Sequence, residues 1–452
     1  TSGTSGTSGT SDTSDAKPDA LDLTGPLEVA LPCAEDVEAV YGYPLASLGA
    51  ADPSKRGEVV ACAQGRMITA LEAQTRLGAS SVIGVVAGGD VQTLRVAYRT
   101  QRAGAKDGVS SALVYLPQAP PDGALPLVVI AHGTVGVADA CAPSTVLLEG
   151  LLDYLALPWA AAGYPVIATD YAGLGTEGAQ GYGDNIDTGR SVLDAAKALR
   201  AMLPPDRVTA QVFLVGHSQG GGAVLSAQAL ERTYGSGGEI AGVVAFAPGW
   251  QISVNAEPWK YPFASTYLGG GAPAALTAMF LYAFHANAYG EDRAGEGFPA
   301  LTAPALVAAV ESQCVMQLSV SVPLLTSTFY GLVDETFRQT FVDCAEGGAC
   351  EPPGDAFAKL MRDNILDADP QGGPVVIFQG IPDVVTPATD TACVIDHLRA
   401  GGVTPQVCAD LSPHTNVAQN NASLALQWVE ALRQGQAPPT CSAVGMPTCL
   451  TP

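Results

Sequence analysis

Gly216-His217-Ser218-Gln219-Gly220 is the stretch of this chain whose residue types could do covalent chemistry. It follows the apolar run Val212-Phe213-Leu214-Val215 and precedes a small-residue helical stretch, Gly221 to Leu230. A strand, then G-x-S-x-G, then a helix makes a turn so sharp that the serine oxygen is lifted clear of the backbone, with a helix N-terminus behind it. Glycines on both flanks let strand and helix approach closely. Ser218 is therefore the candidate nucleophile. A bare G-x-S-x-G in a Gly-rich chain is weak evidence, and the flanking strand and helix give this one its weight. The plain alternative is a strand-to-helix turn with an ordinary serine. A dinucleotide loop fits worse, because G-x-G-x-x-G is not matched here.

A serine nucleophile needs a base, and the base needs an orienting carboxylate. On a strand-turn-helix elbow they follow in the order Ser, acid, His. Pro374 to Phe378 reads as a buried strand, and Asp383 lies in the loop just past its end. A further strand is expected over Thr404 to Leu411, followed by Ser412-Pro413-His414. His414 is the last histidine of the chain and is the candidate base; Asp383 is the candidate acid. For Asp383 the plain alternative is a turn former beside Pro382, and for His414 a loop histidine with a structural hydrogen bond. His397 sits in a helix-like run, His285 in a separate apolar segment, and His217 is expected to point away from Ser218.

The remaining requirement is a pair of N–H donors for a developing oxyanion. Leu127 to Ile130 is a continuous apolar strand running into Ala131-His132-Gly133-Thr134. The N–H groups of Gln219 and Thr134 are the expected donors, with Gly133 as the alternative to Thr134. His132 is expected to hold the loop rather than to transfer protons.

Strand patterns that could position these residues occur at Val91–Tyr98, Ser111–Leu116, Leu127–Ala131, Tyr164–Asp170, Val212–Val215 and Ile240–Phe246, separated mostly by helical stretches. Asp184 to Leu203, for example, places Val192, Ala196, Leu199 and Leu203 on one face. Continuous apolar strands alternating with helices indicate a mostly parallel sheet covered by helices on both faces. Residues 26–84 read as mainly helical, with Met67, Leu71 and Leu77 at helix-like spacing. The rhythm stops after Ala247-Pro248-Gly249 and resumes at Gly373-Pro374. The domain reading is a linker over 1–25, a core over 26–249 and 372–452 with an N-terminal helical extension, and an inserted helical cap or lid over 250–371. Three uncharged stretches of that cap (261–290, 297–310 and 312–333) are read mostly as its own core, with Phe280, Tyr282, Phe284 and Phe329 as the candidates to face a substrate.

A net charge of −23 over 452 residues, with only 14% charged, argues against nucleic acid and anionic membrane surfaces as partners. The ten cysteines form no C-x-x-C and do not cluster with histidines at zinc spacing. Up to five disulfides in an exported protein is the natural reading. Proximity suggests Cys33–Cys62, Cys344–Cys350, Cys393–Cys408 and Cys441–Cys449, leaving Cys141 and Cys314 for a long-range link. The Thr-Ser-Gly repeats of residues 1–10 read as a flexible spacer left after processing. It could tether a globular domain to a surface; a vestigial tail is the other reading. The apolar helix expected over Ala274–Ala286 is too short to span a bilayer. Asn421-Ala422-Ser423 is a formal glycosylation sequon.

The chain resembles the secretory lipase (lipase A type) family of α/β-hydrolases. The residues that carry the resemblance are Ala131-His132-Gly133-Thr134 with Cys141-Ala142-Pro143-Ser144, then Asp170-Tyr171-Ala172-Gly173-Leu174-Gly175, the Gly216–Gly220 elbow, and the Asp383 loop after a long insertion. The resemblance spans roughly residues 35–435. It implies an α/β-hydrolase fold with a helical cap inserted after the sixth core strand, export, cleavage of carboxylic esters, and Ser218, Asp383 and His414 as the triad. Many family members have Tyr before the nucleophile, where this chain has His217.

The expected protein is a monomeric serine carboxylesterase or lipase, secreted, periplasmic or tethered to the cell surface. It needs no metal or organic cofactor. Its partner is a small-molecule or lipid ester with an apolar acyl group, with at most peripheral contact to a lipid or polymer surface. A serine peptidase or amidase on the same fold is the first alternative, with Glu257, Glu291 and Arg293 available to recognise a substrate terminus. A non-catalytic binding module is the second.

Overall fold

The computed structural model of the chain describes residues 1, 3, 24–145, 148–254, 256, 259, 271–441 and 444–450. The Thr-Ser-Gly spacer, nearly all of the expected linker, Glu257 and residues 261–270 of the insertion lie outside the described residues. Nine strands form one sheet in the order β1-β2-β3-β5-β4-β6-β7-β8-β9. They are β1 (Val59–Ile68), β2 (Val91–Gln101), β3 (Asp107–Pro117), β4 (Leu125–Ala131), β5 (Val166–Ala172), β6 (Val208–His217), β7 (Glu239–Phe246), β8 (Val375–Gly380) and β9 (Gln406–Asp410). The pairs from β5 through β4 to β9 are parallel, and β1, β2, β3 and β5 pair antiparallel.

The helices in chain order are α1 (Val37–Tyr41), α2 (Ala70–Ala79), α3 (Leu157–Ala161), α4 (Asn185–Met202) and α5 (Gln219–Leu230); α6 to α11 between β7 and β8; then α12 (Ala388–Ala400) and α13 (Val417–Arg433). Alternate residues of each strand feed opposite faces. In β6, Val212 and Leu214 pack with α4, α5 and α12, while Phe213 and Val215 pack with α2, α3 and α13. Both faces are therefore dry, which is why the parallel strands carry unbroken apolar runs. The predicted face of α4 is buried at Val192, Ala196 and Leu199. Its N-terminus is capped by the Asp184 carboxylate, which accepts from the amides of Ile186 and Asp187.

The N-terminal region departs from expectation. Residues 59–68 form a strand, not a helix, and α1 and α2 are short. Leu77 is buried on α2, so the helix-like spacing holds over 70–79, but Met67 and Leu71 are exposed, at 44% and 80%, and Met67 belongs to the strand. The ladder to β2 decides the conformation: Ala61, Cys62 and Ala63 are buried opposite Ala97, Val96 and Arg95. A tertiary sheet edge here overrides local periodicity.

Between β7 and β8 lie α6 (Ala272–Tyr289), α7 (Ala303–Ser312), α8 (Val315–Leu325), α9 (Phe329–Leu332), α10 (Glu335–Ala345) and α11 (Gly354–Asp363). With the extra strand β1 counted, this insertion follows the seventh strand of the sheet. Phe284, Phe337, Phe341 and Phe357 form its aromatic core, with Phe284 and Phe357 ring centres 4.8 Å apart. Among the described residues, 272–289 supplies much of this second core, whereas the 312–333 stretch buries Leu318, Val322, Leu332 and Val333 and exposes Met316, Val320 and Leu324. No helix among the described residues is long and apolar enough to cross a membrane.

All ten cysteines stand in pairs: Cys33–Cys62, Cys141–Cys314, Cys344–Cys350, Cys393–Cys449 and Cys408–Cys441. The expected Cys393–Cys408 and Cys441–Cys449 pairs are not formed. Cys393 lies on α12 and Cys408 in β9, and each reaches instead to the C-terminal tail, which crosses both elements. Cys141–Cys314 bridges 173 residues and joins the loop after β4 to the start of α8. A bridge across so long a loop contributes about 3–5 kcal/mol. Cys141→Ser with Cys314→Ser should therefore melt many degrees lower than the parent. Thiol titration of the denatured, unreduced parent should find no free thiol; several would contradict the pairing.

Candidate active site

β6 ends at His217, and Ser218 follows with φ 59° and ψ −119°. That conformation is strained for a residue with a Cβ and survives only where the surroundings over-determine it. Here they do. The Ser218 amide donates to the Phe246 carbonyl at 2.9 Å, and the Ser218 carbonyl accepts from the amides of Gly222 and Gly249 at 3.1 and 2.9 Å. A Cβ at Gly216 would strike the Gly220 carbonyl, and one at Gly220 would strike that of Ala131. The flanking glycines are thus required by close approach of β6, α5 and β4.

The Ser218 Oγ lies 2.9 Å from His414 Nε2, and His414 Nδ1 lies 2.6 Å from Asp383 Oδ2. These three residues, expected from sequence as nucleophile, base and acid, form one continuous chain of hydrogen bonds. His414 opens the short turn after β9, and Asp383 stands in the loop after β8. Burial disfavours the Asp383 carboxylate. The hydrogen bond from His414 and the amides of Thr386 and Val385 more than offset this and hold it below the usual carboxylate range. Asp383 is thus an anion beside the imidazole.

Thr386 was not singled out from the sequence. Its hydroxyl stands 2.9 Å from Asp383 Oδ2, 3.1 Å from the Ala247 carbonyl and 3.2 Å from His414 Nδ1. The only available signal was its place three residues past the acid. The rival histidines are elsewhere: His397 Nε2 bonds the Leu366 carbonyl, and His285 Nδ1 the Leu281 carbonyl within α6.

The loop after β4 passes over the elbow. Gly133 lies against Ser218, close enough that an added Cβ would come within 3.4 Å of the serine Cβ. His132 is buried; burial pushes its imidazole down to about 4, so it is neutral, and its Nδ1 donates to the Gly133 carbonyl at 2.7 Å. Its own carbonyl accepts from the Tyr171 hydroxyl at 2.7 Å. Asp170 accepts from the Ser144 amide at 3.0 Å and the Ser111 hydroxyl at 2.6 Å. The Asp170-Tyr171 pair of the Asp-Tyr-x-Gly-Leu-Gly stretch therefore clamps the two ends of this loop.

Burial raises the Asp170 carboxyl to about 7. A folded value above the unfolded one means the folded chain binds more protons across that interval, so this group's contribution to stability declines as pH rises from about 4 to about 7. Asp170→Asn should flatten that part of the stability–pH curve, read by denaturant unfolding at a series of pH values. An unchanged slope would count against it.

A cavity of about 670 Å³ opens over Ser218. Its floor is Gly133, Thr134, His217, Ser218, Gln219 and His414, and its walls include Tyr154, Tyr182, Leu276, Phe280, Val315 and Met316. The Thr134 hydroxyl bonds that of Tyr182 at 3.0 Å. Both expected oxyanion donors, Gln219 and Thr134, border the cavity. No Asp, Glu, Lys or Arg lines it among the described residues. Of the four insertion residues expected to face a substrate, Phe280 lines the cavity; Tyr282, Phe284 and Phe329 pack into the insertion's own core. Among the described residues no cluster of His, Cys, Asp and Glu could hold a metal ion.

The comparisons agree with this architecture. Candida antarctica lipase A in its closed state superposes with a TM-score of 0.62 over 87% of each chain, at 17% identity. The rice cell wall degrading esterase LipA from Xanthomonas oryzae gives 0.59 over 83% of this chain and 96% of its own, also at 17% identity. A putative hydrolase from Legionella pneumophila gives 0.62 over 84% and 99%, at 16% identity. The chain has the α/β-hydrolase fold. A family model described as Hydrolase_4, serine aminopeptidase S33, matches residues 148–275, the segment that carries the Ser218 elbow. No curated protein matches the chain by sequence.

Proposed function

We propose that the chain is an exported serine carboxylic-ester hydrolase. The observation that carries this reading is the Asp383–His414–Ser218 hydrogen-bonded chain, set under a largely apolar cavity that no charged side chain lines among the described residues. Ser218 Oγ attacks the ester carbonyl as His414 Nε2 takes its proton. The tetrahedral oxyanion is held by the N–H groups of Gln219 and Thr134. Collapse expels the alcohol, which receives the proton from His414, and leaves an acyl-Ser218 ester. Water, deprotonated by His414, then releases the acid and restores Ser218. Asp383, kept anionic by its hydrogen bonds, fixes the His414 tautomer with the proton on Nδ1 and stabilises the imidazolium.

A peptidase reading is favoured by the match to a serine aminopeptidase model. Recognition of a charged substrate terminus needs a charged partner at the cavity. Of the three residues expected to be available for this, Glu257 lies outside the described residues, Arg293 pairs with Glu296 on the surface, and Glu291 does not line the cavity. Side-by-side turnover of matched p-nitrophenyl esters and aminoacyl p-nitroanilides separates the two. Faster anilide turnover would overturn the ester reading. The five cysteine pairs support export to an oxidising compartment.

A further inference from the structure

His217 was expected only to turn away from Ser218. It does, and what it reaches is informative. Its ring is buried beneath His414, with centroids 4.9 Å apart. Nε2 lies 2.9 Å from the His414 backbone carbonyl, and Nδ1 lies 3.0 Å from the Tyr154 hydroxyl. A carbonyl can only accept, so Nε2 carries the proton. Nδ1 is then bare, and Tyr154 must donate to it. The two contacts together fix one tautomer and one ring orientation.

We propose that His217, locked by Tyr154, is a positioning residue that clamps the backbone of the His414 turn and so holds the catalytic imidazole between Ser218 and Asp383. The inference rests on the ester-hydrolase reading of the site. The physical case is one of register. Ser218 and His217 are adjacent at the end of β6, whereas His414 arrives 196 residues later on a short turn after β9. The Oγ–Nε2 distance depends on how that turn sits against β6. A donor on the residue next to the nucleophile, bonded to the backbone of the base, ties the two together directly. A misplacement of about 1 Å at such a pair can cost about 100-fold in rate.

The groups facing the His217 ring are Tyr154 from the turn before α3, His414 from the turn after β9 and, behind His414, Asp383 from the loop after β8. Burial first, and the neighbouring His414 second, push the His217 imidazole down to about 4. Burial likewise raises the Tyr154 phenol. The clamp therefore stays uncharged while His414 cycles through its imidazolium.

The test is His217→Phe, which keeps a ring but loses both nitrogens, beside His217→Gln, whose amide can still donate to the His414 carbonyl. His217→Phe should lower kcat by about 10–100-fold, with a smaller change in KM. Its acid limb of kcat/KM should move as well, because the catalytic ring no longer stands in its hydrogen-bonded place between Ser218 and Asp383. His217→Gln should recover most of kcat and restore the limb. Normal kcat in His217→Phe, or equal losses and an unmoved limb in both variants, would overturn the clamp. Should His217→Phe fail to label with a fluorophosphonate, Tyr154→Phe decides. A severalfold loss of kcat with a shifted limb supports the clamp, and parental kcat and limb refute it. His414→Ala is run in parallel: if it kept full activity, the ester-hydrolase reading itself would fall, whereas an inactive His414→Ala beside a fully active His217→Phe would sink only the clamp.

Discussion

Ser218→Ala and His414→Ala should each lower ester turnover by about 10⁴–10⁶-fold while leaving the melting temperature close to that of the parent. The serine removes the only oxygen placed 2.9 Å from His414 Nε2 in the described chain of hydrogen bonds, and the histidine removes the only ring between that oxygen and Asp383. Because nucleophile and base act as one unit, the double variant should be little worse than either single one. Asp383→Asn should cost about 10⁴-fold, because its amide favours the wrong tautomer of His414. Burst and steady-state kinetics on a p-nitrophenyl ester, with calorimetry on each variant, read all of these. Retained activity in His414→Ala together with loss in His397→Ala would show that the base had been misassigned.

The second large effect is on acyl selectivity. The cavity of about 670 Å³ presents Leu276, Phe280, Val315 and Met316 beside Ser218, so each added methylene of an acyl chain is transferred from water to an apolar wall. That transfer contributes at most about 0.8 kcal/mol per methylene, which from butyryl to octanoyl amounts to about 3 kcal/mol, or roughly 200-fold in kcat/KM. The rise should stop where the walls end, and Leu276→Trp should bring the limit to shorter chains. A terminal carboxylate on the same chain should remove the gain. The lining offers it no cation among the described residues, and a net charge of −23 repels it. A flat chain-length profile, or better turnover of the carboxylate series, would sink this account.

Much of the core was legible because its signals are local. The apolar run from Val212 to Val215 followed by Gly216-His217-Ser218-Gln219-Gly220 leaves few other folds for the chain, and the order Ser, acid, His then directs attention to strand ends. Asp383 and His414 were found by that order, not by their neighbours. What was not legible depends on contacts between distant segments. Tyr154 and Tyr182 reach the site from connections that carry no motif. Thr386 joins it through a hydroxyl that sequence alone cannot orient. β1 looked helical because Met67 happens to fall in step with Leu71 and Leu77 of α2, a period that the sheet edge ignores. The cysteine pairs of the tail failed because closeness in sequence says nothing of which elements the tail crosses.

The Cys141–Cys314 bridge has a consequence for survival after damage. It turns residues 141–314 into a covalent ring that contains Ser218, α6 and α7, while Asp383 and His414 lie beyond it. One peptide cut anywhere inside that ring, for instance at the exposed residues Glu291, Asp292 and Arg293, leaves a single molecule. The fragment bearing the nucleophile cannot diffuse from the fragment bearing the base. Such a ring lets a nicked copy keep Ser218 and His414 in one molecule.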